Sequence, residues 1–192
     1  MGRDCAIFVV GMPATGKTTL VRKFLEPFSS YLVASPKWTV CGDVCAAGHY
    51  GGGTFDGADT IAFDGAMRTL EFWRANSFFG CMWSFLDGDR MSNRKCLAYV
   101  DSISMPVCVL LDAPDNIVQG RMESRGSNQN PSWVKGRATK SRRFYDEFEG
   151  PKACIDSSGT ASDTYWSFLD FIETIDVGCP KISVSASRSV PM

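Results

Sequence analysis

Residues 11–18 read GMPATGKT, which satisfies the phosphate-loop pattern G-x-x-x-x-G-K-[ST]. The context fits too: an apolar run from Cys5 to Val10 precedes it, and a helical pattern from Lys17 to Leu25 follows. Gly11 and Gly16 admit backbone dihedrals that a Cβ would penalise. The loop from Gly11 through Met12, Pro13, Ala14, Thr15 and Gly16, continuing into Lys17, Thr18 and Thr19, can therefore wrap a phosphate at a helix N-terminus. Lys17 supplies a cation, and the Thr18 hydroxyl can ligand magnesium. The expected ligands are ATP and Mg2+.

The rest of the composition bounds the class. With 192 residues, 44% of them hydrophobic, the chain can bury one sizeable core. A formal net charge of −1 argues against broad adhesion to nucleic acid or anionic membrane, while leaving room for a local basic patch. None of the eight cysteines forms a C-x-x-C pair, and His49 is the single histidine, so a zinc site is not expected. Several cysteines sit in apolar runs, as reduced buried thiols do. No signal peptide or membrane-spanning run is expected, which points to a cytoplasmic protein.

Working outward from the loop, strand and helix signals alternate. CAIFVV, residues 5–10, reads as a strand buried on both faces, and Pro27 stops the helix after it. A second strand is expected at Trp38 to Cys41, with Gly42 and Asp43 at its end. Residues 48–64 form a glycine-rich loop of the kind that serves a binding site. Asp64 is placed as the cap of a helix ending near Asn76; residues 80–86 form a third strand, and a helix from about Ser92 to Val100 leads to a fourth, 106–112. Pro114 opens a further helix, residues 132–148 read as a basic helical arm, ACID at 153–156 closes the sheet, and Ser162 is expected to cap the last helix. The expectation is a three-layer α/β kinase fold of the P-loop NTPase class, with a mostly parallel five-stranded sheet. The kinase domain would span residues 1–176, a helical lid about 121–148 and a frayed tail 177–192.

Phosphoryl transfer needs positioned reactants, magnesium between the β and γ phosphates, and positive charge around the transferring group. Asp87, directly after the third strand, is the candidate metal carboxylate, with Asp89 as the alternative; Arg90 can reach the acceptor side. Asp43 is the candidate catalytic base, if strand two lies two inter-strand spacings, about 10 Å, from the loop. Asp59 is the second choice for that role or for binding acceptor. Five cations fall within residues 135–143, after Arg121 and Arg125; Arg121, Arg125 and Arg137 are the expected phosphate contacts. A GTPase-like switch would carry N-K-x-D, which is missing.

The combination of GMPATGKT, GADTI at 57–61, LDGDRMS at 86–92, LLDAPDNIVQGRMESRG at 110–126 and WVKGRATK at 133–140 resembles the small P-loop kinases of tailed bacteriophages grouped with 5-hydroxymethyluracil DNA kinases. The resemblance covers most of residues 4–176, and the phosphate loop is its most specific part. It differs in having Asp87-Gly88 where Glu-Gly is common. It implies ATP-dependent phosphorylation of a hydroxymethylated pyrimidine in DNA, in the cytoplasm of an infected bacterium. Tyr50, Phe55, Trp38 or Trp133 would stack on an extruded base, and Lys140, Arg142 and Arg143 would meet the DNA backbone. The alternative acceptor is a free nucleotide or other small metabolite, which suits the near-neutral charge.

Overall fold

The computed structural model describes residues 4–26, 29–51 and 56–175. Strand β1, Cys5–Gly11, is buried along its whole length and forms the middle of the five parallel strands. It pairs in parallel with β5, Trp83–Asp87, on one side and β6, Met105–Asp112, on the other. Outside these lie β4, Val44–Ala47, and β7, Lys152–Asp156, both parallel to their neighbours. Two further strands, β2 (Tyr31–Ala34) and β3 (Lys37–Cys41), extend the β4 edge by antiparallel pairing. The order is β2-β3-β4-β5-β1-β6-β7, a mixed, mostly parallel sheet of seven strands rather than five.

Because successive side chains of β1 point to opposite faces, they feed two cores. Ala6, Phe8 and Val10 pack with Leu70 and Trp73 of helix α2 (Ala66–Ala75), Cys96 and Val100 of α3 (Arg94–Asp101) and Phe144 of α5 (Pro131–Asp146). Cys5, Ile7 and Val9 pack with Leu20, Val21 and Phe24 of α1 (Lys17–Leu25), and with Tyr165, Phe168, Leu169 and Ile172 of α6 (Ala161–Thr174). Helices on both faces make three layers, and α4, Asp115–Ser124, follows β6.

The largest departure from expectation concerns the second strand. Lys37–Cys41 is present but antiparallel, and Gly42 (φ 54) with Asp43 turns the chain back into β4. The parallel strand next to β5 is therefore β4. Caps moved by one or two residues: Gly65 rather than Asp64 precedes α2, Asn93 caps α3, and Thr160 rather than Ser162 caps α6. The Thr160 side chain accepts from the Asp163 amide while Asp163 accepts from the Thr160 amide, a reciprocal box that Ser162 cannot make. Phe55, Pro27 and the tail expectation fall outside the described residues.

Helix α5 is no free arm. Ser141 donates to the Gly11 carbonyl across 3.1 Å, and the Phe144 ring lies 5.4 Å from that of Phe8. Its C-terminal half is part of the core, while its first two turns overhang the end of β1.

Candidate active site

The loop from Gly11 to Lys17 leaves β1 at the carboxyl end of the sheet, where ligands bind in open α/β folds. A Cβ on Gly11 would stand 2.4 Å from the Leu111 carbonyl oxygen and 2.7 Å from Thr15 Oγ1, so only glycine allows the chain to turn this tightly over β6. Ala14 (φ 63) and Gly16 (φ 92) are left-handed, a pattern that turns amides inward into an anion-binding concavity. Lys17 donates to the carbonyls of Gly11 (3.0 Å) and Met12 (2.8 Å), which folds the ammonium over that concavity.

Across from it, β5 delivers Asp87, only 3% exposed. Thr18 donates to Asp87 Oδ2 over 2.8 Å, and the Tyr50 hydroxyl reaches the same oxygen at 3.5 Å. Burial pushes the Asp87 carboxyl above its ordinary 3.8; Lys17 and the Thr18 hydrogen bond oppose the shift, while Asp59 adds to it. Burial likewise pushes Lys17 below its ordinary 10.5, opposed by Asp87 and Asp59 and reinforced by Arg125. Tyr50 is driven well above 10, by burial first and then by Asp87.

These groups suit a magnesium nucleotide. Hydroxyl and carboxylate oxygens are hard donors, and magnesium takes few protein ligands because phosphates and water complete its shell. Among the described residues no cluster of three or more acidic, His or Cys side chains forms a self-sufficient metal cage. Asp87, buried beside one lysine, is a carboxylate short of positive charge. Thr18 and Asp87 could hold the magnesium, which would supply positive charge to the phosphates.

The glycine-rich loop returns over this pair. Gly57 bridges to His49, and its Cβ, were there one, would lie 2.9 Å from Asp87 Oδ2. Arg22, one turn after Thr18, forms an ion pair with Asp56, and Arg90 donates to the carbonyls of Asp59 (3.0 Å) and Ala58 (3.4 Å). The loop is thus tied from both sides, with Asp59 facing a cavity of about 360 Å3 that Lys17, Thr18, Asp87, Arg90, Arg125 and Arg137 also line. A second cavity of about 260 Å3 lies on the other side of the loop, against Thr19, Leu20, Arg121, Ser157, Gly159 and Thr164. Ala14, Gly16, Thr19 and Arg125 border both, so the two spaces meet at the phosphate loop.

The family model of P-loop Nucleotide Kinase3 matches residues 3–172. The chain belongs to that P-loop nucleotide kinase family. This P-loop kinase is an enzyme of the phosphotransferase class and uses ATP. No curated protein matches its sequence. Among solved structures, it is similar to an unliganded sugar kinase from Janibacter sp. HTCC2649, with 13% identity, 88% of this chain and 94% of that one covered, and a TM-score of 0.54. It is also similar to deoxyadenosine kinase from M. mycoides with the products dCMP and a flexible dCDP bound, with 9% identity, 88% and 100% covered, and a TM-score of 0.52. At these identities the likeness concerns the fold.

Several sequence candidates of this P-loop kinase do not stand where expected. Asp43 is exposed in the β3–β4 turn, and its carbonyl accepts from the amides of Met82 (2.9 Å) and Trp83 (3.1 Å), at the start of β5. Asp87 ends that strand, about 13 Å further along at 3.3 Å per residue. Asp43 therefore lies at the wrong end of the sheet for a base, because the chain reverses once more than expected. Asp89 is engaged with α5: it forms an ion pair with Arg137, and its carbonyl accepts from Lys140 at 2.9 Å. Arg121 is turned to the second cavity, donating to the carbonyls of Ser158 (3.4 Å) and Gly159 (3.1 Å). Trp38 is fully buried and offers no stacking face, while Tyr50 is partly buried with its hydroxyl turned to Asp87. Sequence reasoning missed Arg22, Asp56, Phe63 and the Ser157–Thr164 wall; the serine-glycine run at 157–159, between a strand and a capped helix, was the available signal for the last.

Proposed function

We propose that this kinase transfers the γ-phosphoryl group of ATP to a hydroxyl of a nucleotide or other small metabolite held in the 360 Å3 cavity. The observation that carries this reading is the pair of cavities meeting at the phosphate loop, one on each side, sized for a donor nucleoside and a small acceptor. The 260 Å3 space beside Arg121 and Thr164 takes the nucleoside of ATP. Lys17, Arg125 and Arg137 hold phosphate, and Thr18 and Asp87 hold magnesium.

Asp59 takes the role of base. Its carboxylate accepts the proton as the acceptor oxygen bonds to the γ phosphorus; the bond from γ phosphorus to the bridging oxygen breaks, and its electron pair leaves with ADP. Arg90, 3.7 Å from Asp59, orients it. The first turns of α5, carrying Arg137, supply the closing segment that excludes water.

A hydroxymethylated base in DNA is the competing acceptor, and the surface gives it less support. Arg142 is bonded to Asp112 (2.6 Å), Arg143 to Glu147 (2.8 Å), and Lys140 lies 3.8 Å from the Asp89 carboxylate, so all three cations assigned to the DNA backbone already have carboxylate partners. The deciding experiment is transfer of labelled γ-phosphate to nucleosides, nucleoside monophosphates and sugars, beside DNA carrying thymine or hydroxymethyluracil. Phosphorylated small molecules are expected; labelled DNA alone would overturn the proposal.

A further inference from the structure

Four large apolar side chains stand exposed among the described residues. Tyr31 and Leu32 are neighbours on the edge strand β2; Phe63 (82% exposed) and Trp133 (43%) come from opposite halves of the chain and line the same cavity beside the phosphate loop. Phe63 lies in the turn before α2, and Trp133 in the first turn of α5. Both rings border the polar, phosphate-handling cavity while leaving much of their surface open to it or to solvent.

Trp133 is also held in place. The Arg137 guanidinium lies 4.9 Å from the centre of its ring, and Arg137 is itself anchored by the ion pair with Asp89, two residues after Asp87. A cation over an indole face fixes the ring orientation, so this wall is built before any ligand arrives. The polar lining suits the rim of a flat heterocycle: Gln129 carries an amide with both donor and acceptor, the group that pairs with two adjacent atoms of a purine edge, and Asp59 with Arg90 offers a carboxylate beside a guanidinium.

We infer that Phe63 and Trp133 form a flat-ring subsite, which binds the nucleobase of a free nucleoside or nucleoside monophosphate as the acceptor of this kinase. The inference rests on the small-molecule reading above and narrows it: selection is by the face of the base, and the hydroxyl is delivered to Asp59 as a consequence. Base–aromatic stacking tolerates base identity because every base has a π face. The subsite therefore accepts several bases, with Gln129 adding preference.

The test is equilibrium binding, which does not depend on turnover. Calorimetric titrations would use thymidine, deoxyadenosine and their 5′-monophosphates, with ribose 5-phosphate as the base-free control and a thymine oligonucleotide as the macromolecular one. These would be run on the wild type and on Phe63→Ala, Trp133→Ala and Trp133→Phe. At least one nucleoside or monophosphate is expected to bind and ribose 5-phosphate not to; each alanine variant should weaken binding about tenfold, the scale of one base–aromatic stack, with Trp133→Phe restoring most of it. Equal binding of ribose 5-phosphate, binding of the oligonucleotide alone, or unchanged affinity in both alanine variants would overturn the inference. A nucleoside that binds through both rings but is never phosphorylated would uphold the subsite and sink the transfer reading instead.

Discussion

The Thr18 hydroxyl donates to Asp87 Oδ2 over 2.8 Å, joining the first turn of α1 to the last residue of β5. A proton and a divalent cation compete for that carboxylate, which burial pushes above its ordinary 3.8. The group binds more protons folded than unfolded. Its contribution to apo-protein stability is therefore fully present below 3.8 and lost as pH rises through the folded value. Activity runs the other way, because the ionised form is needed for metal. The acid limb of the kcat/KM profile should lie above the ordinary carboxylate range and move to lower pH as magnesium is raised. Rate profiles at two magnesium concentrations check this, and a limb insensitive to magnesium would remove Asp87 from the metal site.

Desolvation holds the Lys17 pKa below its ordinary 10.5, so its charge costs the apo protein stability at neutral pH. Lys17→Met should reduce phosphoryl transfer by at least about 100-fold, the loss typical of one transition-state donor. It should leave the apo melting temperature equal or higher. Thermal unfolding beside steady-state kinetics separates the two effects.

Gly57 adopts φ 63, ψ −145, a region that essentially only glycine populates, with Asp87 Oδ2 in the path of any Cβ. Gly57→Ala should lower stability by about 1–3 kcal/mol and raise the magnesium concentration needed for half-maximal rate. Gly120, inside α4 with nothing near its Cβ position, makes the opposite control. Gly120→Ala should gain about 0.5–1 kcal/mol, read by denaturant unfolding.

The two loop aspartates should separate cleanly. Asp59→Asn is expected to lower transfer to the acceptor by about 100-fold or more, the range of a positioned general base, while nucleotide affinity holds. Asp43→Asn, at the far end of the sheet, should change the rate less than about twofold, the scale of a surface substitution. Rates and nucleotide binding measured on both variants decide it, and the reverse pattern would restore Asp43 as base.

The fold was legible wherever runs were long and one-sided. CAIFVV and PVCVLL are unbroken apolar runs, and the spacing of Tyr165, Leu169 and Ile172 carries a helical period, each enough to name the element. β4 was not, because VCAA is four residues of mostly small side chains with no alternation, buried by what surrounds it rather than by its own pattern. That miss displaced Asp43. Lys17, Thr18 and Asp87 were legible because the phosphate loop and a strand-ending carboxylate are local signals. The Arg22–Asp56 pair and the Phe63–Trp133 walls were not, since each joins segments distant in sequence through tertiary placement alone.

The central place of β1 also has a meaning in time. Among the described residues its strand partners, β5 and β6, begin only at Trp83 and Met105, far from it in sequence. The β2–β3–β4 meander closes over short loops and can form while β1 waits, since contacts between distant residues bear a larger loop-closure cost. The phosphate loop hangs from the end of β1, and its first turn at Gly11 is made against the Leu111 carbonyl of β6. A chain ending before Met105 carries the complete GMPATGKT stretch but lacks the strand against which Gly11 makes its tight turn.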